Sequence, residues 1–183
     1  MRVGIGYDVH RFNGPPARAG RRPLKLGGVT IPFARGLAGH SDADVLLHAV
    51  ADALLGAIGA PDLGEQFPPG DARYRNADSR LFVRAARAAA RRRGWAVCNV
   101  DATIVADAPK LIGYKPRMAE AIGALLGISA RRVSVKAKTT EGFSPGQGGI
   151  AAHAVVLITR ARAGLGAQGK CAHSPQPRAR SQG

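Results

Sequence analysis

Residues 36–59 read GLAGHSDADVLLHAVADALLGAIG, and the reading of this stretch decides the fold class. From Ala43 to Ile58 the apolar residues Val45, Leu46, Ala49, Val50, Ala53, Leu54 and Ala57 recur at intervals of three and four, the spacing of one helical face. Ser41 or Asp42 can accept from the first free amides and cap this helix. Asp44, His48 and Asp52 follow one another at four-residue steps and so share one stripe of it. A lone helical histidine is usually a satisfied core or surface residue. Three acid and imidazole groups in a row on an apolar helix ask for more, because a buried, unpaired carboxylate costs several kcal/mol. Such groups face either solvent or charge.

Working outward, Arg2 to Val9 alternates Val3, Ile5, Tyr7 and Val9 with other residues, a period of two and hence a strand. Asn13 to Arg22 reads as a loop, and Leu24 to Phe33 as two short strands about Gly27-Gly28. Gly59 to Ala77 is a Pro- and Gly-rich connection, and one that long in a compact domain usually serves function. Asp78 to Arg93 predicts a second helix burying Leu81, Phe82, Ala85, Ala86 and Ala89. Its Arg91, Arg92 and Arg93 stand before Gly94, as cations do at a helix C-terminus. Strands follow over Trp95 to Ala106, Arg132 to Ala137 and Ile150 to Ile158, with a third helix over Pro116 to Leu126. The expected architecture is α+β, a mixed β-sheet packed on one face by helices. Residues 1–160 form the domain, and 161–183, rich in Gly, Pro, Ser, Gln and Arg without an acid, read as a disordered basic tail.

The chain has 183 residues, enough for one domain with a sizeable core. Apolar residues make up 45% and charged residues 21%, which excludes a disordered or fibrous chain. No apolar run reaches the length of a membrane helix. MRVGIGYDVH enters a strand directly and lacks the layout of a secretion signal. Cys98 and Cys171 are too few for a disulfide scaffold, so a cytoplasmic location is expected. The net charge of +15 favours polyanionic partners: nucleic acid, anionic membrane or phosphorylated small molecules.

Asp8 and His10 stand two apart on a strand and share a face. If strand and helix meet, Asp8, His10 and His48 form a carboxylate and two imidazoles. Zinc accepts that set, and three protein ligands leave its fourth position open, as in catalytic sites. Gly4-Ile5-Gly6 lacks the third glycine and following helix of a dinucleotide site, and there is no P-loop. No G-x-S-x-G and no nucleophilic Cys setting occurs. Lys110, at a strand end, and Lys136, Lys138, Thr139 and Thr140, followed by Glu141, could hold phosphate or could be ordinary polar loops.

Five stretches in order carry a resemblance: RVGIGYDVHRF, GLAGHSDADVLLHAVADALLGA, DLGEQFPPGD, NVDATIVADAPKL and KAKTTEG. From Arg2 to about Ile158 the chain resembles the 2-C-methyl-D-erythritol 2,4-cyclodiphosphate synthase family. The resemblance implies cyclisation of 4-diphosphocytidyl-2-C-methyl-D-erythritol 2-phosphate with release of CMP, in the non-mevalonate isoprenoid pathway. It implies a homotrimer whose sheets face one another around the axis, with active sites between subunits. Zn2+ ligands map onto Asp8, His10 and His48, and Asp8, Val9 and His10 also border the substrate. His40 and Ser41 match the loop at a substrate phosphate, with His40 stabilising the transition state. Asp62, Leu63 and Gly64, with Phe67, Pro68, Pro69, Gly70 and Asp71, match the part holding the methylerythritol hydroxyls. Ala106, Asp107, Ala108, Pro109, Lys110, Leu111 and Ile112 match a cytidine pocket supplied by the adjacent subunit. Lys138, Thr139, Thr140 and Glu141, with Phe143, match the segment at the diphosphate. There Thr139 contacts the transition state, and Glu141 holds a second ion, Mg2+ or Mn2+.

One segment departs. Gly142 to Ile150 reads GFSPGQGGI, shorter than the family pattern and without its Arg and Glu, so the resemblance does not extend to a ligand on the trimer axis. Two other functions answer to parts of the sequence. A nucleic-acid module would suit the charge, but the nine aromatics do not alternate with basic residues as on a stacking face. A zinc hydrolase would need a carboxylate base beside the ion, for which Asp44 or Asp52 could serve. The resemblance favours the synthase, with no membrane and no nucleic acid as partner.

Overall fold

A computed structural model describes residues 1–14, 23–142 and 148–161. The predicted tail over 162–183, most of the Asn13 to Arg22 loop, and Phe143 lie outside the described residues. The elements in chain order are β1 (Arg2–Arg11), β2 (Leu24–Leu26), β3 (Val29–Ile31), α1 (Val45–Ala57), α2 (Leu63–Gln66), α3 (Arg80–Arg92), β4 (Trp95–Val105), α4 (Lys115–Leu126), β5 (Val133–Lys138) and β6 (Gly149–Arg160). Four strands make a sheet in the order β1-β6-β4-β5. β6 runs antiparallel to both neighbours, and β4 and β5 are parallel, so the sheet is mixed as expected. β2 and β3 form a separate hairpin.

The core face of β1 is unusual. Its buried positions are Gly4 and Gly6, while Val3, Ile5, Tyr7 and Val9, the apolar set that marks the strand in sequence, are exposed on the other face. The reason is α1. A Cβ on Gly6 would stand 2.0 Å from the Ala49 carbonyl oxygen, and one on Gly4 would stand 2.0 Å from that of Ala53. The helix backbone lies directly on the strand, and Ala49, Ala53 and Ala57 supply the flat helical face such contact needs. The two glycines that mimic part of a nucleotide-binding fingerprint are packing glycines.

Helix α1 begins two residues later than the periodicity suggests, because Asp44 rather than Ser41 or Asp42 is its cap. The Asp44 carboxylate accepts from the amides of Leu47 (3.0 Å), Gly27 (2.8 Å) and Gly28 (2.6 Å). It is fully buried and holds the hairpin turn against the start of the helix. Asp44 thus faces neither solvent nor a charged partner. Backbone donors balance its burial, and it is not available as a general base.

Arginines of α3 tie the helical layer together. Arg80 donates to the Gly28 carbonyl (3.0 Å), Arg87 to that of Leu125 (3.1 Å), and Arg93, just past the helix, to that of Ile58 (2.8 Å) at the end of α1. Part of the charge that suggested a polyanion is therefore engaged in structure. Among the described residues no helix is long and apolar enough to cross a membrane.

Replacing Gly6 with Ala forces helix and strand apart. The expected cost is about 1–3 kcal/mol or more, read by urea unfolding, as for other overpacked cores. Gly113→Ala, where an added Cβ meets nothing within 4 Å, is the control and should leave the midpoint unchanged.

Candidate metal centre

Beyond Gly4 and Gly6 the same face of β1 continues as Asp8 and His10. Four residues before Ala53 on α1 is Ala49, and His48 precedes it. The close strand–helix contact therefore brings three ligand types to one point. Asp8 Oδ2 lies 2.8 Å from His48 Nδ1 and 3.0 Å from His10 Nε2. The two ring nitrogens are 3.3 Å apart. The three groups can each offer one atom to a common ion, with all three atoms within 4.8 Å of one another.

The electrostatics fit a cation. Burial by itself would raise the Asp8 carboxyl; hydrogen bonds to His10 and His48 and their charge outweigh it and hold Asp8 far below the ordinary carboxylate range. Burial would lower His10, but the Asp8 carboxylate and the Ala38 carbonyl prevail and raise it. The Ala38 carbonyl accepts from His10 on the side away from the centre, so a neutral ring would turn its Nε2 lone pair inward toward an ion. The donor set, one carboxylate and two imidazoles, suits a divalent ion with an open coordination position. The nearby Asp52 is pushed upward, chiefly by burial, although it accepts the Leu63 amide at 2.7 Å.

The centre opens into a cleft of about 260 Å³. His40, Ser41, Asp52, Leu63, Gly64, Phe67, Pro69, Tyr74 and Phe82 line it together with the three ligand residues. The Gly59 to Ala77 connection is thus a wall of the site, with α2 inside it, and Asp52 holds that wall at Leu63. His40 is exposed, and its carbonyl accepts from the Asn76 amide at 2.7 Å. Ser41 is buried, its hydroxyl 3.1 Å from His48 Nε2 and accepting from the Ala43 amide at 3.1 Å. Asp62 caps α2, and Asp71 is engaged bidentately by Arg73. Neither lines the cleft, and nor do Val9, Pro68 or Gly70.

A second group of sequence candidates gathers elsewhere, where the parallel strands β4 and β5 end. The Thr140 amide and hydroxyl both donate to Asp107, at 2.7 Å each, and the Ala106 amide donates to the Lys138 carbonyl at 2.8 Å. Thr139 donates to Glu141. Lys110, Lys138 and Ile112 are exposed, whereas Leu111 is buried in the core. Lys136, a phosphate candidate in the sequence, instead donates to Asp101 at 2.6 Å. None of these residues lines the cleft.

Sequence reasoning missed Tyr74 and Phe82, which with Phe67 form an aromatic cluster of ring centroids 4.9–6.1 Å apart. Phe82 also stacks near His48, with centroids 5.7 Å apart. It was readable only as a core residue of α3. Ser79 was missed because it falls in the first turn of the expected Asp78 to Arg93 helix, with no local signal to set it apart; its hydroxyl makes no capping bond.

Fold and site together define a class: an α+β domain whose mixed sheet and central helix bring together three groups that could hold one cation at the mouth of a cleft. Residues 1–159 match the YgbB family, and the chain belongs to it. It is 53% identical over 168 residues to the 2-C-methyl-D-erythritol 2,4-cyclodiphosphate synthase of Moorella thermoacetica, covering 91% of this chain and 99% of that one. A solved structure of a 2C-methyl-D-erythritol-2,4-cyclodiphosphate synthase with CDP bound is 35% identical, with a TM-score of 0.77, over 86% of this chain and all of the other. The bifunctional IspDF of Campylobacter jejuni is 38% identical with a TM-score of 0.79; the match covers 87% of this chain and 42% of that larger one.

His48→Ala should reduce bound divalent metal to background in elemental analysis of the purified protein, with the circular dichroism of the fold retained. Full metal content in that variant would exclude this centre.

Proposed function

We propose that this chain closes the ring of 4-diphosphocytidyl-2-C-methyl-D-erythritol 2-phosphate, giving 2-C-methyl-D-erythritol 2,4-cyclodiphosphate and CMP in the non-mevalonate isoprenoid pathway. Its membership of the YgbB family and its identity to named synthases support the reading. The observation that carries the mechanism is the convergence of Asp8, His10 and His48 at the mouth of the cleft. In the reaction an oxygen of the 2-phosphate bonds to the β-phosphorus while the bond from β-phosphorus to the bridging oxygen breaks. CMP leaves with that electron pair. No water is consumed and no protein nucleophile is needed, in keeping with the absence of a nucleophile motif.

The barrier is repulsion between two anionic phosphates and their poor alignment. Zn2+ held by Asp8, His10 and His48, with Mg2+ or Mn2+ at Glu141, would neutralise phosphate oxygens and improve CMP as a leaving group. His40, exposed over the cleft, and the Thr139 hydroxyl donate to oxygens whose charge grows in the transition state. The wall formed by Leu63, Gly64, Phe67 and Pro69 turns the methylerythritol so that its 2-phosphate reaches the β-phosphorus. Asp62 and Asp71 at its ends serve the hydroxyls.

The active unit in this reading is a homotrimer of the 1–160 domain. A cleft of about 260 Å³ is smaller than the ~300–1,000 Å³ usual for enclosing a drug-sized ligand, so it does not by itself enclose a diphosphate with both nucleoside and tetritol. The residues matched to cytidine and diphosphate stand outside it, and the Asp107–Thr140 hydrogen bonds tie them into one unit that a neighbouring subunit can present. The apolar face of β1 and β6 opposite the helices supplies a surface for assembly: Ile5 is 70% exposed, Val3 65% and Val155 40%. Three such sheets facing one axis would cover it.

Product analysis tests the reaction against a zinc hydrolase: CMP and the cyclic diphosphate should form in equal amounts with no uptake of labelled water oxygen. Thr139→Ala should lower turnover by about 10²-fold or more, the loss typical of one transition-state donor, with metal content intact. Ile5→Lys should shift the sedimentation coefficient from trimer to monomer and abolish turnover while metal is retained.

A further inference from the structure

We propose that Ser79, backed by Asp42, is a positioning residue that aims the Nδ1 lone pair of His48 into the metal centre. This rests on the reading of Asp8, His10 and His48 as ligands. The geometry is a chain of four groups. His48 Nε2 lies 2.9 Å from Ser79 Oγ. Ser79 Oγ donates to Asp42 Oδ1 at 2.5 Å, and Lys25 Nζ donates to Asp42 Oδ2 at 3.1 Å. Ser79 is completely buried, and Asp42 and His48 are nearly so.

The proton count follows from the chemistry of the groups. A serine hydroxyl has one proton. Here the Asp42 carboxylate takes it, a charge-assisted bond that a neutral ring nitrogen does not outcompete. Ser79 Oγ then presents lone pairs to His48 and can only accept. With an ion in the centre the neutral ring carries its proton on Nε2, facing Ser79 Oγ, and Nδ1 offers its lone pair beside Asp8 Oδ2 and His10 Nε2. His10 is set the same way by the Ala38 carbonyl. Both imidazoles are held from behind, in the orientation that an ion would meet.

The position of Ser79 supports a role beyond the helix it precedes. It stands at the start of α3, yet its hydroxyl makes no capping bond. The Asp42 carboxylate accepts the Ser79 amide instead, at 3.1 Å. Asp42 thus fixes both the backbone and the hydroxyl of Ser79, and Lys25, from β2, fixes Asp42. Hairpin, helix and loop meet at this one relay. The Ser41 hydroxyl also lies 3.1 Å from Nε2. It accepts from the Ala43 amide and can donate its own proton to Ser79 Oγ at 3.4 Å, which leaves a lone pair for the Nε2 proton.

The test is a zinc competition titration on wild type and Ser79→Ala, with the ring ¹⁵N and ¹H resonances of the zinc-loaded wild-type protein. Ser79→Ala should weaken zinc by about 10–100-fold, the usual effect of removing a partner behind a ligating histidine. The wild-type His48 Nε2 proton should be hydrogen-bonded and protected from solvent exchange, and the variant should lose that protection. Unchanged zinc affinity in Ser79→Ala overturns the role. So does a wild-type Nε2 proton that exchanges freely, an outcome that does not depend on the variant folding. Wild type that takes up no divalent ion removes the metal reading itself, and is told apart because it involves no variant.

Discussion

The backbone contact between β1 and α1 is the constraint on which the rest of the molecule depends. Two glycines on one face of a strand let a helix settle against it with no side chain between. At that separation a residue of the helix and residues of the strand can share one ion. The candidate metal centre is thus a continuation of the packing seam: the face of β1 that is glycine under the middle of α1 becomes Asp8 and His10 near the N-terminal end of that helix.

The cost of this arrangement is paid on the other face. By giving its inward positions to glycine, aspartate and histidine, β1 sends its large apolar residues outward. An exposed sheet face carrying Val3, Ile5, Tyr7 and Val9 is the kind of apolar patch that marks an interaction surface, and the proposed trimer would cover it. In the proposed reading, the same geometry that brings the candidate ligands together also supplies the surface for assembly. The split of the candidate residues, one group at the cleft and one at the ends of β4 and β5, fits that division.

Polar groups buried near the centre are balanced in two ways. Asp44 is satisfied by three backbone amides and serves architecture. Asp42 is satisfied by Lys25 and Ser79 and stands behind His48. Two acids two residues apart in one motif have separate tasks because a hairpin turn covers one and a helix start covers the other.

Much was legible in the amino-acid sequence. Periodicity located the strands and the three longer helices, because alternation and the three-four spacing are local properties of the chain. The motifs around Asp8, His48 and Glu141 pointed to the family. What local pattern could not contain was distance and direction. Val3, Ile5, Tyr7 and Val9 alternate identically whether they face core or solvent, and only the glycine–helix contact decided which. Asp44 and Asp52 lie on one helical stripe with His48, yet Asp44 caps the helix, Asp52 holds the cleft wall at Leu63, and His48 alone reaches Asp8. Ser79 carries no mark in the sequence, and only the fold sets it between an imidazole and a carboxylate. Residue types and their spacing follow from the chain itself; which groups share a proton or an ion depends on contacts between residues some 30 to 40 positions apart in it, such as Ser79 with His48 (31) and His48 with Asp8 (40), and those exist only once the layers are packed.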